Sequence, residues 1–107
     1  MQEEIDLKLI RKRYLELESE IVKTPVIKLN STLLDNLLDN IELYLKLEFF
    51  QHTGTFKARG ALSVANSLSE DSKKYGITAA SAGNHAIAAS WAAKKIGVSA
   101  KVFMGAT

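Results

Sequence analysis

Apolar residues near the start of the chain recur every three or four positions. This spacing predicts an amphipathic helix whose apolar stripe consists of Leu7, Ile10, Tyr14, Leu17 and Ile21. Pro25 is expected to stop this helix, because a proline and the residue before it disfavour helical backbone. A short strand, PVIKLN, and a short helix, TLLDNLL with Ser31 as its N-cap, are predicted to follow. Residues 1–40 are therefore interpreted as a helix–strand–helix lead-in.

From residue 41 the period changes. IELYLKLE, residues 41–48, alternates strictly between apolar and polar positions, which is typical of a half-buried strand. A helix follows, marked by Ala58, Ala61, Leu62, Ala65 and Leu68. The strand YGITAAS, the alanine-rich helix NHAIAASWAAKKIG and the strand VSAKVFM complete the order. Strands that alternate with helices predict an α/β fold, here a three-layer parallel sheet with flanking helices, so residues 41–107 are expected to form one βαβαβ unit.

Composition narrows the functional classes. The 14 basic residues among 107 are scattered and nearly balanced by 12 acidic ones, so no nucleic-acid surface is expected. The absence of cysteine excludes disulfides, thiolate catalysis and Cys-based zinc sites, and no metal site is expected. No apolar run is long enough for a membrane span, and the acidic start does not have the pattern of a secretion signal. A cytoplasmic protein is therefore expected.

Two loops are predicted at the carboxyl edge of the sheet, where ligands of open parallel sheets bind. One is QHTGT, and the other is SAGN, Ser81–Asn84, which opens a helix and is suited to a carboxylate or phosphate. Lys57 lies at the start of the helix after QHTGT. A cation there opposes the helix dipole, which favours the neutral amine that an aldehyde cofactor needs. The plainer alternative, a solvated lysine and two ordinary connections, stays open at this point. His52 and His85 are interpreted as loop or cap histidines, and Trp91 as helix packing.

Three short motifs are more specific than the hydrophobic pattern. KTPVIKLNSTL, KLEFFQHTGTFKARGA and SAGNHA, in this order, resemble the pyridoxal phosphate (PLP) enzymes of the tryptophan-synthase-β fold type, particularly the threonine dehydratase and serine racemase branch. The resemblance runs from about residue 9 to the end and implies part of the small domain of such an enzyme. It implies that PLP is held by Lys57, Phe56 and Asn84, and that the substrate carboxylate is held by Ser81, Ala82, Gly83, Asn84 and His85. Lys57 would bind PLP covalently and move protons. Arg59 is expected to pair locally, and Gly60 to permit close helix packing.

Thr55 stands where serine is commoner in that family, and Ile87 and Ala88 replace a usual Gln-Gly. The family's glycine-rich phosphate loop does not occur in these 107 residues, so we expect an N-terminal portion of such an enzyme. The implied activity is deamination of threonine or serine to a 2-oxo acid and ammonia, with the isolated chain inactive. Two alternatives remain: a serine racemase, and a non-catalytic remnant that binds itself or a partner. The expected partners are a small amino-acid substrate and a second copy or the remainder of the enzyme.

Overall fold

A computed structural model describes residues 6–38 and 41–106, which form five α-helices and four strands. The elements are α1 (Leu7–Leu17), β1 (Val26–Lys28), α2 (Thr32–Leu38), β2 (Tyr44–Lys46), α3 (Lys57–Asn66), α4 (Glu70–Lys73), β3 (Ile77–Ala80), α5 (Asn84–Lys95) and β4 (Ala100–Phe103), with 3-10 turns at Glu48–Phe50 and His52–Gly54. The predicted order of helices and strands is confirmed for the major elements, and α4 is an additional short helix between α3 and β3.

Helix α1 begins where the side chain of Asp6 accepts a hydrogen bond of 2.7 Å from the Leu9 N–H. It ends at Leu17, well before Pro25, so the prediction that the proline stops it is wrong. A turn follows Leu17, and beyond it the N–H and C=O of Val22 bond to the side chain of Gln51, so a tertiary contact and not helical bonding holds the chain before Pro25. Only the carboxyl-terminal end of the predicted stripe is buried, whereas Leu7 and Ile10 are 71% and 54% exposed.

The strands form two separate pairs. Strand β3 pairs with β4 in parallel, with Ile77 opposite Ala100, which confirms a parallel sheet with flanking helices. Strand β2 instead pairs antiparallel with β1, with Val26 opposite Lys46. The expectation that residues 41–48 belong to the parallel sheet is therefore wrong within the described residues. Alternation identifies a strand with one buried face but carries no information about which strand is its partner.

The core is made where α3 and α5 meet. Most of its buried residues are alanines, which let the two helices approach closely: Ala58 and Ala65 from α3, and Ala86, Ala88, Ala89, Ala92 and Ala93 from α5. Leu62 is the largest fully buried side chain and clusters with Leu17 and Ile21. Trp91 packs against this cluster, as expected of a packing residue. Helix α5 also packs on both strands of the parallel pair.

Candidate active site

Lys57 is the first residue of α3 and lies at a cavity of about 480 Å³ between α3, β3 and α5. The cavity is lined by Phe56, Lys57, Gly60, Ala61, Val64, Ile77, Thr78, Ala79, His85 and Ala89. The other three lining residues of α3 follow Lys57 at intervals of three, four and seven, so all four share one helix face. The structure thus brings three predicted site residues, Lys57, Phe56 and His85, to one mainly apolar cavity.

The Lys57 ammonium is accessible. Its side chain is exposed, its Nζ lies 5.5 Å from the centroid of the Phe56 ring, and it makes no hydrogen bond or ion pair within the described part of the chain. The described residues do not bury this side chain. No acidic residue occupies the first turn of α3 to offset the opposition between this cation and the helix dipole. The hydroxyl of Thr55 accepts from the Lys57 N–H at 3.4 Å at the helix start.

The second predicted loop connects β3 to α5. The Ser81 N–H donates to the Phe103 carbonyl at 3.0 Å, and the Ser81 hydroxyl accepts from the Gly83 N–H at 3.3 Å. Helix α5 then begins at Asn84 with no side-chain cap and no acidic residue in its first turn. Its first N–H groups therefore remain available for an anion. Ser81, Ala82, Gly83 and Asn84 precede His85 directly but do not themselves line the cavity; their roles stay predictions.

Gly60 does not have the packing role expected from the sequence. A Cβ built on it would meet nothing within 4 Å, and the position opens onto the cavity. The expectation of close helix packing at Gly60 is wrong. The close approach of α3 to α5 comes instead from buried alanines, as at Ala58 and Ala65.

A group of polar side chains lies behind α3, centred on the carboxylate of Glu48. Arg59 donates to it through two parallel bonds of 2.8 Å, from Nε to Oε2 and from a terminal nitrogen to Oε1. The Thr24 hydroxyl also donates to Oε1, and the Lys46 Nζ lies 4.0 Å from the same oxygen. We call these four residues the Glu48 cluster. The Arg59 hydrogen bonds outweigh desolvation and lower the pKa of Glu48 to about 2, while the carboxylate raises the pKa of Arg59.

Arg59 forms an ion pair, but its partner is Glu48, eleven residues earlier and outside α3, so the pairing is not local in sequence. The alternation of residues 41–48 places Glu48 on the polar side of a strand, where a carboxylate needs no partner. Nothing in the sequence indicates which of the scattered basic residues would pair with it.

The loop that leads into α3 is also held by polar contacts. Gln51, 4% exposed, bonds to the N–H and C=O of Val22 at 2.9 and 2.8 Å and accepts from the His52 N–H at 3.0 Å. Thr53 adopts a left-handed conformation with φ of 65°, which is unfavourable for a β-branched residue. Its buried hydroxyl has no partner among the described residues. The ring of His52 stacks on Trp91 at 5.2 Å. The sequence indicated only a turn here.

Comparison with known proteins decides the family. The family described as pyridoxal-phosphate dependent enzyme matches residues 17–107. The chain belongs to this family. It is 44% identical over 87 residues to a catabolic L-threonine dehydratase of Staphylococcus aureus, covering 81% of this chain and 25% of that protein. It is 51% identical over 59 residues to a phenylserine dehydratase of Ralstonia pickettii, covering 55% of this chain and 18% of the relative.

The solved structure of maize serine racemase superposes on this PLP-dependent family member with a TM-score of 0.79 and 33% identity, covering 92% of this chain and 30% of that one. The chain therefore spans less than a third of the length of each of these three proteins. The recognition of the family, made from the lysine and SAGN motifs, is confirmed, as are the α/β class and the cofactor, PLP.

The residues present fit PLP. The cavity combines an accessible amine with an adjacent aromatic ring, which suit an aldehyde on a flat ring. The uncapped start of α5 adjoins the cavity at His85 and suits an anionic group. Of the three residues predicted to hold PLP, Lys57 and Phe56 line this cavity and Asn84 does not, so the role of Asn84 stays a prediction. Within the described residues there is no group of three acidic, histidine or cysteine side chains placed to bind a metal. Nor does that part of the chain contain a helix of sufficient length and apolarity to cross a membrane.

Proposed function

We propose that the protein is a PLP-dependent ammonia-lyase that converts threonine or serine to a 2-oxo acid and ammonia. The observation that carries this proposal is the shared cavity of Lys57, Phe56 and His85, which adjoins the uncapped start of α5. The similarity to a threonine dehydratase and a phenylserine dehydratase supports a hydroxy-amino-acid substrate.

Each residue has a distinct task in the proposed reaction. The loop from Ser81 to His85 holds the substrate carboxylate at the start of α5, where free N–H groups and the helix dipole favour an anion. This orients the substrate Cα toward the Lys57 Nζ, which removes the proton. Bound PLP supplies a sink for the electron pair left at Cα. The β-hydroxyl leaves as water, and hydrolysis of the released enamine gives the 2-oxo acid and ammonia.

The test is covalent labelling of Lys57 in the complete gene product. Borohydride added with PLP makes the bond between a lysine Nζ and the cofactor permanent, and peptide mapping locates it. We expect the label on Lys57, and a kcat lowered by about 10²- to 10⁴-fold in Lys57→Ala, as for loss of a general base. Lys73→Ala, which removes a partly exposed lysine paired with Glu70, serves as the control and should retain both the Lys57 label and the kcat. A label concentrated on another lysine would rule out the assignment.

A serine racemase is the second candidate, and the structural similarity to the maize enzyme favours it. Racemisation and dehydration both begin with removal of the Cα proton, so the described site serves either reaction. Incubation with L-serine separates them: the lyase releases pyruvate and ammonia, whereas a racemase accumulates D-serine without a matching release of ammonia.

We also propose that this chain associates with a second copy of itself or with further parts of the enzyme, in the cytoplasm. Large apolar side chains on α1, α2 and β1 are exposed, among them Leu7, Leu33 and Val26. Contiguous apolar surface is uncommon on stable monomers. Sedimentation of the 107-residue chain tests this, since a monomer at all concentrations would contradict self-association. Cell fractionation tests the location.

A further inference from the structure

Helix α3 presents Lys57 on one face and Arg59 on the opposite face. Lys57 and the residues three, four and seven positions after it line the cavity. Arg59 follows Lys57 by two positions, which corresponds to about 200° around the helix axis. Its guanidinium therefore points away from the cavity, toward the segment that contains Val22 and Thr24. A rotation of α3 about its axis would move the Lys57 amine and the Arg59 guanidinium together.

The apolar packing of α3 depends on one large side chain and on alanines. Ala58 and Ala65 are fully buried but present only methyl groups, and Leu62 is the one large, fully buried side chain of the helix. On the cavity side, Gly60 has no side chain, and a Cβ there would meet nothing within 4 Å. Directional contacts must therefore contribute to the setting of the helix, and bidentate arginine–carboxylate bonds have the geometric specificity to do so.

Glu48 is a fixed point for such a contact. Its side chain is 15% exposed. The Thr24 hydroxyl, from the segment before β1, and the Lys46 ammonium, from β2, both contact the same carboxylate oxygen. The Lys46 Nζ also donates to the Thr24 carbonyl at 2.6 Å. The carboxylate is thus tied to the antiparallel β1–β2 pair rather than free to follow α3. Arg59 connects α3 to this frame one half-turn beyond Lys57.

We infer that Glu48 and Arg59 are positioning residues whose paired contact sets the rotation of α3 and so holds the Lys57 amine at the cavity. This inference rests on the proposed function, because it assigns a purpose to the placement of Lys57. Neither residue lines the cavity. Their loss changes the reactivity of Lys57 without removing a group that touches cofactor or substrate.

The experiment measures borohydride-fixed PLP on individual lysines of the complete gene product, with Lys73 as the internal reference. Two variants break the contact differently: Glu48→Gln keeps the shape and removes the charge, and Arg59→Lys keeps the charge and removes the fork. We expect the ratio of Lys57 to Lys73 labelling to fall about tenfold to a hundredfold in both, since misplacement of a reacting group by about 1 Å can cost a hundredfold. Asp71→Asn, which breaks the exposed pair with Lys74 and leaves the Lys73–Glu70 pair intact, should leave it unchanged.

Leu17→Ala distinguishes positioning of Lys57 from a general loss of stability. It removes a buried side chain from the core cluster and leaves the Glu48 cluster intact. Each variant is checked for folding by circular dichroism under the labelling conditions. Retention of the ratio in Leu17→Ala, with its loss in Glu48→Gln, supports the inference. An unchanged ratio in folded Glu48→Gln overturns it, as does an equal loss in Leu17→Ala. A wild-type protein without preference for Lys57 overturns the proposed function itself, and the inference with it.

Discussion

Protonation of Glu48 should destabilise the fold at low pH by an amount that the structure sets. Arg59 and Thr24 bond to its ionised carboxylate and lower the pKa from its ordinary value of 4.5 to about 2. Because the pKa in the folded state lies below that in the unfolded state, the contribution is complete above about pH 5 and is lost as the pH falls toward 2. At 1.36 kcal/mol for each tenfold change in acidity, it is about 3 kcal/mol at pH 7 and about 1 kcal/mol at pH 3.

The perturbation that isolates this contribution is Glu48→Gln, which removes the titrating group. The free energy of unfolding of the 107-residue chain is measured by urea titration at pH 7 and pH 3. Trp91 is the single tryptophan and packs against the core, so its fluorescence reports unfolding. Circular dichroism must give the same midpoint for a two-state treatment to hold. We expect the difference between wild type and variant to shrink by about 2 kcal/mol between pH 7 and pH 3.

Subtracting the free energy of unfolding of the variant from that of the wild type cancels the contributions of the other groups that titrate between pH 3 and pH 7. The control is Glu70→Gln, whose partner is Lys73 in an exposed pair; it should change the free energy of unfolding by less than about 1 kcal/mol. If the wild-type-minus-Glu48→Gln difference is the same at both pH values, Arg59 does not hold this carboxylate ionised and the reasoning fails.

Three further predictions concern the loop, a turn and the core. Ser81→Ala should weaken amino-acid binding, measured by substrate titration, and leave labelling by PLP intact; unchanged affinity would argue against a carboxylate site there. Gly76→Ala should lower the free energy of unfolding by about 1–3 kcal/mol or more, because its φ is +76° and a Cβ would lie 2.5 Å from a backbone oxygen. Gly97→Ala should lower the free energy of unfolding by less, because its φ is +74° but a Cβ there would meet nothing within 4 Å. Equal losses in the two variants would refute the argument from the steric clash at Gly76. Leu62→Ala should cost about 2–5 kcal/mol in urea unfolding, whereas the exposed Val64→Ala should cost under about 0.5 kcal/mol; similar costs would contradict the assigned core.

Several elements of this fold were predictable because their signals are local. The three-to-four spacing around Leu17 and Leu62 identified α1 and α3, and strict alternation identified the strand that contains Tyr44. The start of α5 followed from the Gly83–Asn84 turn. Periods of this kind report which face of an element meets apolar surroundings, and that information lies within ten or so residues.

The partner of β2 was not predictable, because an alternating strand can pair with any neighbour that leaves one face covered. The end of α1 was not predictable either: no proline or glycine stands near Leu17, and the contact that holds Val22 beyond it comes from Gln51, 29 residues later. Gly60 was misjudged for a related reason: a glycine suits both a close contact and an open cavity, and only the surroundings distinguish them.

The sequence by itself determined the family and the candidate lysine, because the motifs around Lys57 and Ser81–Asn84 are specific in wording and order. It also determined which residues could build a core. Only the tertiary structure decided that Lys57 and His85 share one cavity, that β1 pairs with β2, and that Arg59 bonds to the carboxylate of Glu48. These features join segments 11 to 28 residues apart, and such contacts depend on the mutual packing of elements, which no local period encodes.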